Sequence, residues 1–220
     1  MKIGILGGTF DPVHIAHMRL AEEAKYYFNL DKILFLPSNI PPHKTNKKIS
    51  NYLDRIKLLE LAIKGRKDFE LELHDINLET PSYTVDTLKF LKTKYSDNQL
   101  FFIIGMDLFK ELNTWKNFLE LFKLSNFIVA RRPPFMNIDF QLAESFMPPF
   151  TGENINNFVI NEKKEVLEHI SGNNIYFFKS TRLDISSTEI RKLISKGVPV
   201  NFLVPDRVVS YITEKKLYKE

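Results

Sequence analysis

The sequence predicts an α/β fold, a doubly wound and mostly parallel sheet with helices on both faces. Two observations carry that expectation. Short β-rich runs alternate with stretches of helical periodicity along the chain. Most of the β-rich runs are apolar throughout rather than alternating, as strands covered on both faces require. A chain of 220 residues, 44% of them hydrophobic, is long enough and apolar enough to bury a real core.

Taken in order, the first strand is KIGIL (2–6), followed by a helical pattern over 15–28 and a second strand, KILFL (32–36). A helix over 51–64 leads to FELEL (69–73), and one over 83–95 leads to LFFII (100–104). Helical spacing over 107–123 separates that strand from NFIVA (126–130). Residues 131–160 carry two Pro-Pro pairs, so a long irregular excursion with one short helix is expected there. NIYFF (174–178) is the last expected strand, with a helix over 186–195 behind it. VPDRVVSYITEKKLY (204–218) opens on Pro and an acidic residue and then turns apolar at helical spacing. That pattern predicts a C-terminal helix at about 205–215, docked on the rest. No internal repeat or low-complexity linker divides the chain, so a single domain over 1–220 is expected.

Composition excludes several classes of function. There is no Cys, which removes disulfides, thiolate metal sites and a thiol nucleophile. The net charge of +4 favours small anionic ligands slightly but is too scattered to argue for nucleic acid. The densest basic run, HKTNKK (43–48), has no interleaved aromatics. No apolar stretch approaches the roughly 20 residues of a membrane span, and no leader pattern precedes the first strand. A cytoplasmic protein without a membrane partner is the expectation, and homo-oligomer formation is left open. The 19 Phe residues belong mainly to the core.

GGTFDPVHIAH (7–17) stands directly behind the first strand. In an open parallel sheet, ligands bind beyond the carboxyl ends of the strands, so this turn is the place to look. Gly7 and Gly8 allow a close backbone approach, and N–H groups at the following helix start favour an anion. His14 and His17 lie one helical turn apart and share a face. Neither G-x-x-x-x-G-K-[ST] nor G-x-G-x-x-G is present. Two solvated histidines on a tight turn remain an alternative, whereas a metal site lacks a third ligand at a sensible spacing. Far downstream, ISSTEIR (185–191) opens a late helix. Its Ser and Thr can cap that helix and leave N–H groups for phosphates, while Arg191 adds a charged fork. By itself the segment is equally an ordinary capping box.

The first motif resembles the GTFDP-x-H-x-G-H pattern of the nucleotidylyltransferase superfamily, with Ala16 where that pattern most often has Gly. ISSTEIR resembles the superfamily's I-S-x-T-x-I-R. Three further stretches, PSNIPPHK (37–44), TPSYTVDTL (80–88) and IIGMDLFKELNTW (103–115), are similar to the bacterial nicotinate mononucleotide adenylyltransferases of NAD synthesis. The similarity runs from Met1 through Trp115 and resumes at about 175–218, for instance in LVPDRVVSYI. It implies a Rossmann-like fold and adenylyl transfer from ATP to nicotinate mononucleotide, with Mg²⁺ arriving mainly on phosphates and water.

The resemblance further implies an ATP site from Gly7, Gly8, Thr9, Phe10, His14, His17, Gly105, Asp107, Ser186, Ser187, Thr188 and Arg191. A mononucleotide site would comprise Thr9, Asn39, His43, Lys44, Thr84 and Trp115. His14, His17, Lys44 and Arg191 would carry the catalysis, with no protein-held metal. Each residue also has a plainer reading. His43 and Lys44 can be solvated loop, Thr84 and Asp107 can be helix-capping residues, and a lone Trp is commonly core. The other phosphate acceptors to weigh are nicotinamide mononucleotide and phosphopantetheine; a non-catalytic nucleotide sensor of the same fold is a different class. A class I tRNA synthetase has a related His pair, but no KMSKS-like lysine loop is present.

Overall fold

The computed structural model describes residues 1–39, 49–74, 83–131, 157–161 and 165–219. All six apolar runs form strands there: β1 (Lys2–Gly8), β2 (Lys32–Pro37), β3 (Phe69–Leu71), β4 (Gln99–Gly105), β5 (Asn126–Arg131) and β8 (Asn174–Lys179). Two more strands, β6 (Phe158–Asn161) and β7 (Val166–His169), precede the last. One sheet takes them all, in the order β3-β2-β1-β4-β5-β8-β7-β6. Its first six strands are parallel, and β7 and β6 add an antiparallel edge. The helices are α1 (Ile15–Phe28), α2 (Tyr52–Ile63), α3 (Thr84–Lys94), α4 (Met106–Lys110), α5 (Phe118–Leu124), α6 (Ser187–Ser195) and α7 (Asp206–Glu214).

Burial explains why the strands read as unbroken apolar runs. Leu100, Phe102 and Ile104 of β4 enter one core layer with Leu88 and Leu91 of α3 and Leu121 and Phe122 of α5. The intervening Phe101 and Ile103 enter the opposite layer with Ala21 and Ala24 of α1, Leu58 of α2, Ile190 of α6 and Val208 of α7. Both faces of the strand are therefore dry from Leu100 to Ile104, and no position there is left for a polar residue.

Three expectations need correction. The helix expected over 107–123 is broken into α4, a single 3₁₀ turn at Leu112–Thr114 and α5. Trp115 is extended and Asn117 takes a left-handed φ of 49°, which Asn tolerates better than most residues, and no helix continues through that pair. FELEL contributes three strand residues instead of five. The stretch expected as an irregular excursion ends in β6, and β7 follows where no element was expected; four-residue strands such as FVIN and VLEH carry too little pattern to stand out. The short helix expected within the excursion falls on 132–156, outside the described residues.

Chain order reverses between β1 and its neighbours. β2 and β3 follow β1 on one side, while β4 and β5 lie on the other. Such a reversal opens a crevice beyond the strand ends, here between Gly7 and Gly8 of β1 and Gly105 of β4.

Candidate active site

His14 is the residue before α1, in extended conformation and 5% exposed, and His17 lies in the helix's first turn. Their rings stack with centroids 3.7 Å apart and planes inclined by 25°. The His14 backbone N–H donates to His17 Nδ1 at 3.3 Å. With Nδ1 accepting, a neutral His17 carries its proton on Nε2, which then is a donor. The Phe10 ring meets the His17 ring in an edge-type contact, with centroids 5.0 Å apart and planes inclined by 70°. Phe10 is 1% exposed, so its side chain belongs to the core beneath the site.

This packing gives Gly8 an internal reason. A Cβ there would stand 3.0, 3.1 and 3.2 Å from three atoms of the Phe10 ring, and displacing that ring disturbs His17. A Cβ on Gly7 would make an ordinary contact with Phe102 at 3.5 Å, and one on Gly105 would meet nothing within 4 Å. At Gly105, the missing side chain therefore opens room at the crevice.

The expected anion-binding start of α1 is largely taken up within the protein. Besides the His14 N–H, the Ile15 N–H is bonded to the Leu203 carbonyl at 2.9 Å and the His17 N–H to the His14 carbonyl at 3.0 Å. These three amides are thus already paired with groups of the protein itself. The start of α6 is built differently. The Ser186 hydroxyl caps it by accepting from Glu189 N–H at 3.1 Å. The first-turn amides at Ser187 and Thr188 have no acceptor within the helix itself.

The structure brings the two motifs together. Ser187 Oγ donates to the Pro12 carbonyl (2.9 Å), and the Arg191 guanidinium donates to the Asp11 carbonyl (2.6 Å) and the Thr188 hydroxyl (3.4 Å). The segment leading into α6 is anchored on α1 through buried Glu23, which accepts from the Thr181 N–H at 2.9 Å, from the Thr181 hydroxyl and from Arg19 Nε at 3.1 Å. A cavity of about 360 Å³ opens at the same end of α6, bounded by Asp184, Ser186, Ile190 and Leu203 among others.

On the other face, Thr84 opens α3 and Trp115 follows the 3₁₀ turn, half-buried against Phe102 with centroids 6.3 Å apart. Lys116, next to Trp115, pairs with Asp86 at 2.8 Å and lies 4.6 Å from the Tyr83 ring centre. The Trp115 loop is thereby held at the start of α3, near Thr84. Asp107 occupies the first turn of α4 behind Gly105. Lys44 and His43 lie outside the described residues.

Sequence reasoning passed over Arg55. This α2 side chain is 1% exposed, yet it donates to the carbonyls of Thr9 (2.8 Å), Ser38 (2.8 Å), Asn39 (3.0 Å) and Ser50 (3.3 Å). It ties the turn after β1 to the loop after β2, the two segments to which Thr9 and Asn39 belong. Burial pushes its pKa down, the Asp11 carboxylate opposes that shift, and the Tyr52 ring lies 4.9 Å away. An arginine at one position of an amphipathic helix carries no signal of this role. Among the described residues, no group of three or more His, Asp or Glu could hold a metal ion, and no helix is long and apolar enough to cross a membrane.

Residues 5–193 match the model of the cytidylyltransferase-like family. A relative from Desulfatibacillum aliphaticivorans is 40% identical over 99% of this chain and 100% of its own length. The chain belongs to the cytidylyltransferase-like family, among its nicotinate-nucleotide adenylyltransferases. The nicotinate-nucleotide adenylyltransferase of Bacillus subtilis is 36% identical over 99% of this chain and 98% of its own. In fold, this adenylyltransferase-family chain is similar to the Plasmodium falciparum nicotinic acid mononucleotide adenylyltransferase complexed with NaAD. The TM-score is 0.71 at 21% identity, covering 99% of this chain and 97% of that one.

Proposed function

We infer that this protein transfers the adenylyl group of ATP to nicotinate mononucleotide, releasing pyrophosphate and forming deamido-NAD. The observation that carries the reading is the junction of the two motifs at the sheet's reversal point, Ser187 on Pro12 and Arg191 on Asp11, beside the stacked histidines. Full-length relatives of the same named activity support it, and so does the fold shared with an enzyme whose complex holds NaAD. One oxygen of the mononucleotide phosphate attacks the α-phosphorus of ATP. The bond from that phosphorus to the bridging oxygen breaks, and its electron pair leaves on pyrophosphate. The nucleophile is already an anion, so no strong base is needed, and catalysis consists of positioning and charge stabilisation.

In this reading His14 and His17 donate to the ATP phosphates as charge builds at the transferring group. Arg191, Ser186, Ser187 and Thr188 hold the β- and γ-phosphates, with Gly7, Gly8, Thr9, Phe10, Gly105 and Asp107 forming the rest of the ATP site. Asn39, His43 and Lys44 serve the mononucleotide together with Thr9, Thr84 and Trp115. Mg²⁺ enters as part of the ATP substrate, held by phosphates and water. The whole chain acts as one catalytic domain in the cytoplasm. The decisive assay mixes ATP and Mg²⁺ with nicotinate mononucleotide, nicotinamide mononucleotide or phosphopantetheine and measures pyrophosphate; release with the first alone, or far faster with it, is the expected result.

Acid and amide should be distinguished in that assay. N–H donors at the start of α3 suit a carboxylate, which only accepts; the Trp115 backbone N–H is already bonded to the Leu112 carbonyl at 3.0 Å. An amide turns its NH₂ toward at least one donor and leaves it unpaired, which costs roughly 1–3 kcal/mol, and it forgoes up to about 1 kcal/mol of attraction to the helix start. The acid is therefore expected to be favoured by about 10- to 100-fold in kcat/KM. Equal rates would overturn this specificity and leave adenylyl transfer standing. Lys44→Ala should raise KM for the mononucleotide more than KM for ATP, as loss of a point charge on the acceptor phosphate requires. Equal effects on the two would assign the lysine elsewhere.

A further inference from the structure

Asp11 is 3% exposed, and its oxygens are engaged from several directions. The Tyr218 hydroxyl donates to Oδ1 at 2.8 Å, the Ser50 N–H donates to Oδ2 at 3.3 Å, and Arg191 donates to the backbone carbonyl at 2.6 Å. The same Arg191 nitrogen stands 3.8 Å from Oδ2, too far for a hydrogen bond. The charged pair is thus kept stretched, although arginine and carboxylate ordinarily close into a forked pair.

Tyr218 reaches this spot from the segment beyond α7. Lys216 and Tyr218 both take left-handed backbone, at φ 51° and 63°, which is uncommon for side chains of this size and persists where surroundings compel it. Burial and the Asp11 carboxylate push the phenol pKa up, so it remains a donor at neutral pH.

We propose that Tyr218 is a positioning residue for ATP: by occupying Asp11 Oδ1 it keeps the Asp11 carboxylate from closing on Arg191, and the guanidinium stays available to the triphosphate. The proposal rests on the reading of Arg191 as a phosphate contact. Without the phenolic hydroxyl, Oδ1 is a buried acceptor in want of a donor, and Arg191 is already within 4 Å of its partner oxygen. A closed Asp11–Arg191 pair then competes directly with the nucleotide.

The test is Tyr218→Phe, which keeps the ring and removes only the hydroxyl. KM for ATP should rise about 3- to 10-fold, while KM for the mononucleotide stays within a factor of two or so and Tm falls by no more than about 4 °C. In an Arg191→Ala background, where KM for ATP is already raised, Tyr218→Phe should add nothing. Two results would overturn the proposal and spare the reading of Arg191. One is an unchanged KM for ATP in Tyr218→Phe while Arg191→Ala raises it. The other is a matched rise in both KM values with a large loss of Tm, which would make Tyr218 a packing residue only. If Arg191→Ala leaves KM for ATP untouched, the phosphate role of Arg191 fails and the proposal fails with it.

Discussion

His17→Ala should lower turnover by about 10²–10³-fold, the usual loss when one donor to developing charge is removed. The geometry explains why the loss should fall on the chemical step. The backbone N–H of His14 holds Nδ1, so a neutral ring carries its proton on Nε2, and the stack on His14 and the contact with the Phe10 ring set its plane. A donor held in advance needs no rearrangement when charge appears on the phosphate. His17→Asn separates this role from packing, because an amide oxygen can replace Nδ1 as the acceptor for His14 N–H but offers nothing at the place of Nε2. Both variants should melt within a few degrees of wild type, and both should be slow. An Asn variant with near-normal turnover would remove His17 from the chemistry.

Arg55→Met should lower stability by about 3 kcal/mol, because methionine fills much of the space but donates to none of the four carbonyls. Two effects oppose each other. Burying a guanidinium carries a large desolvation cost, which methionine avoids, and replacing buried ions by apolar groups is often neutral when all partners go together. Here the partners remain: the carbonyls of Thr9, Ser38, Asn39 and Ser50 lose the Arg55 donor that joins the two loops. The unsatisfied acceptors win. Tm should drop by roughly 6–12 °C for a chain of this size, measured by thermal unfolding. Arg55→Lys should recover little, because a single ammonium lacks the planar fork that spans both loops. A methionine variant that melts within about 2 °C of wild type would show that the carbonyls find other donors.

The doubly wound sheet was legible because its strands are buried on both faces, which forces unbroken apolar runs such as LFFII and NFIVA. The break at Trp115–Asn117 was not, since its residues also suit a helix and only backbone angles separate the alternatives. β6 and β7 were missed for a related reason: a four-residue edge strand is defined by its neighbour more than by its own composition.

The candidate site divides in the same way. GGTFDPVHIAH and ISSTEIR were visible as local patterns, since a glycine pair, a helix cap and histidines one turn apart are short-range chemistry. Sequence alone therefore determined the class of fold, the two motifs and the residue types offered to an anion. Tertiary structure alone decided that the motifs meet, through Arg191 on Asp11 and Ser187 on Pro12, across 180 and 175 residues of chain. It also decided which amides at the start of α1 are already bonded, and that Arg55 and Tyr218 hold the turn from behind. Nothing in the spacing of these residues encodes those contacts. A buried polar group takes whatever partner the fold brings within 3 Å or so, and that partner is set by the order in which strands join the sheet.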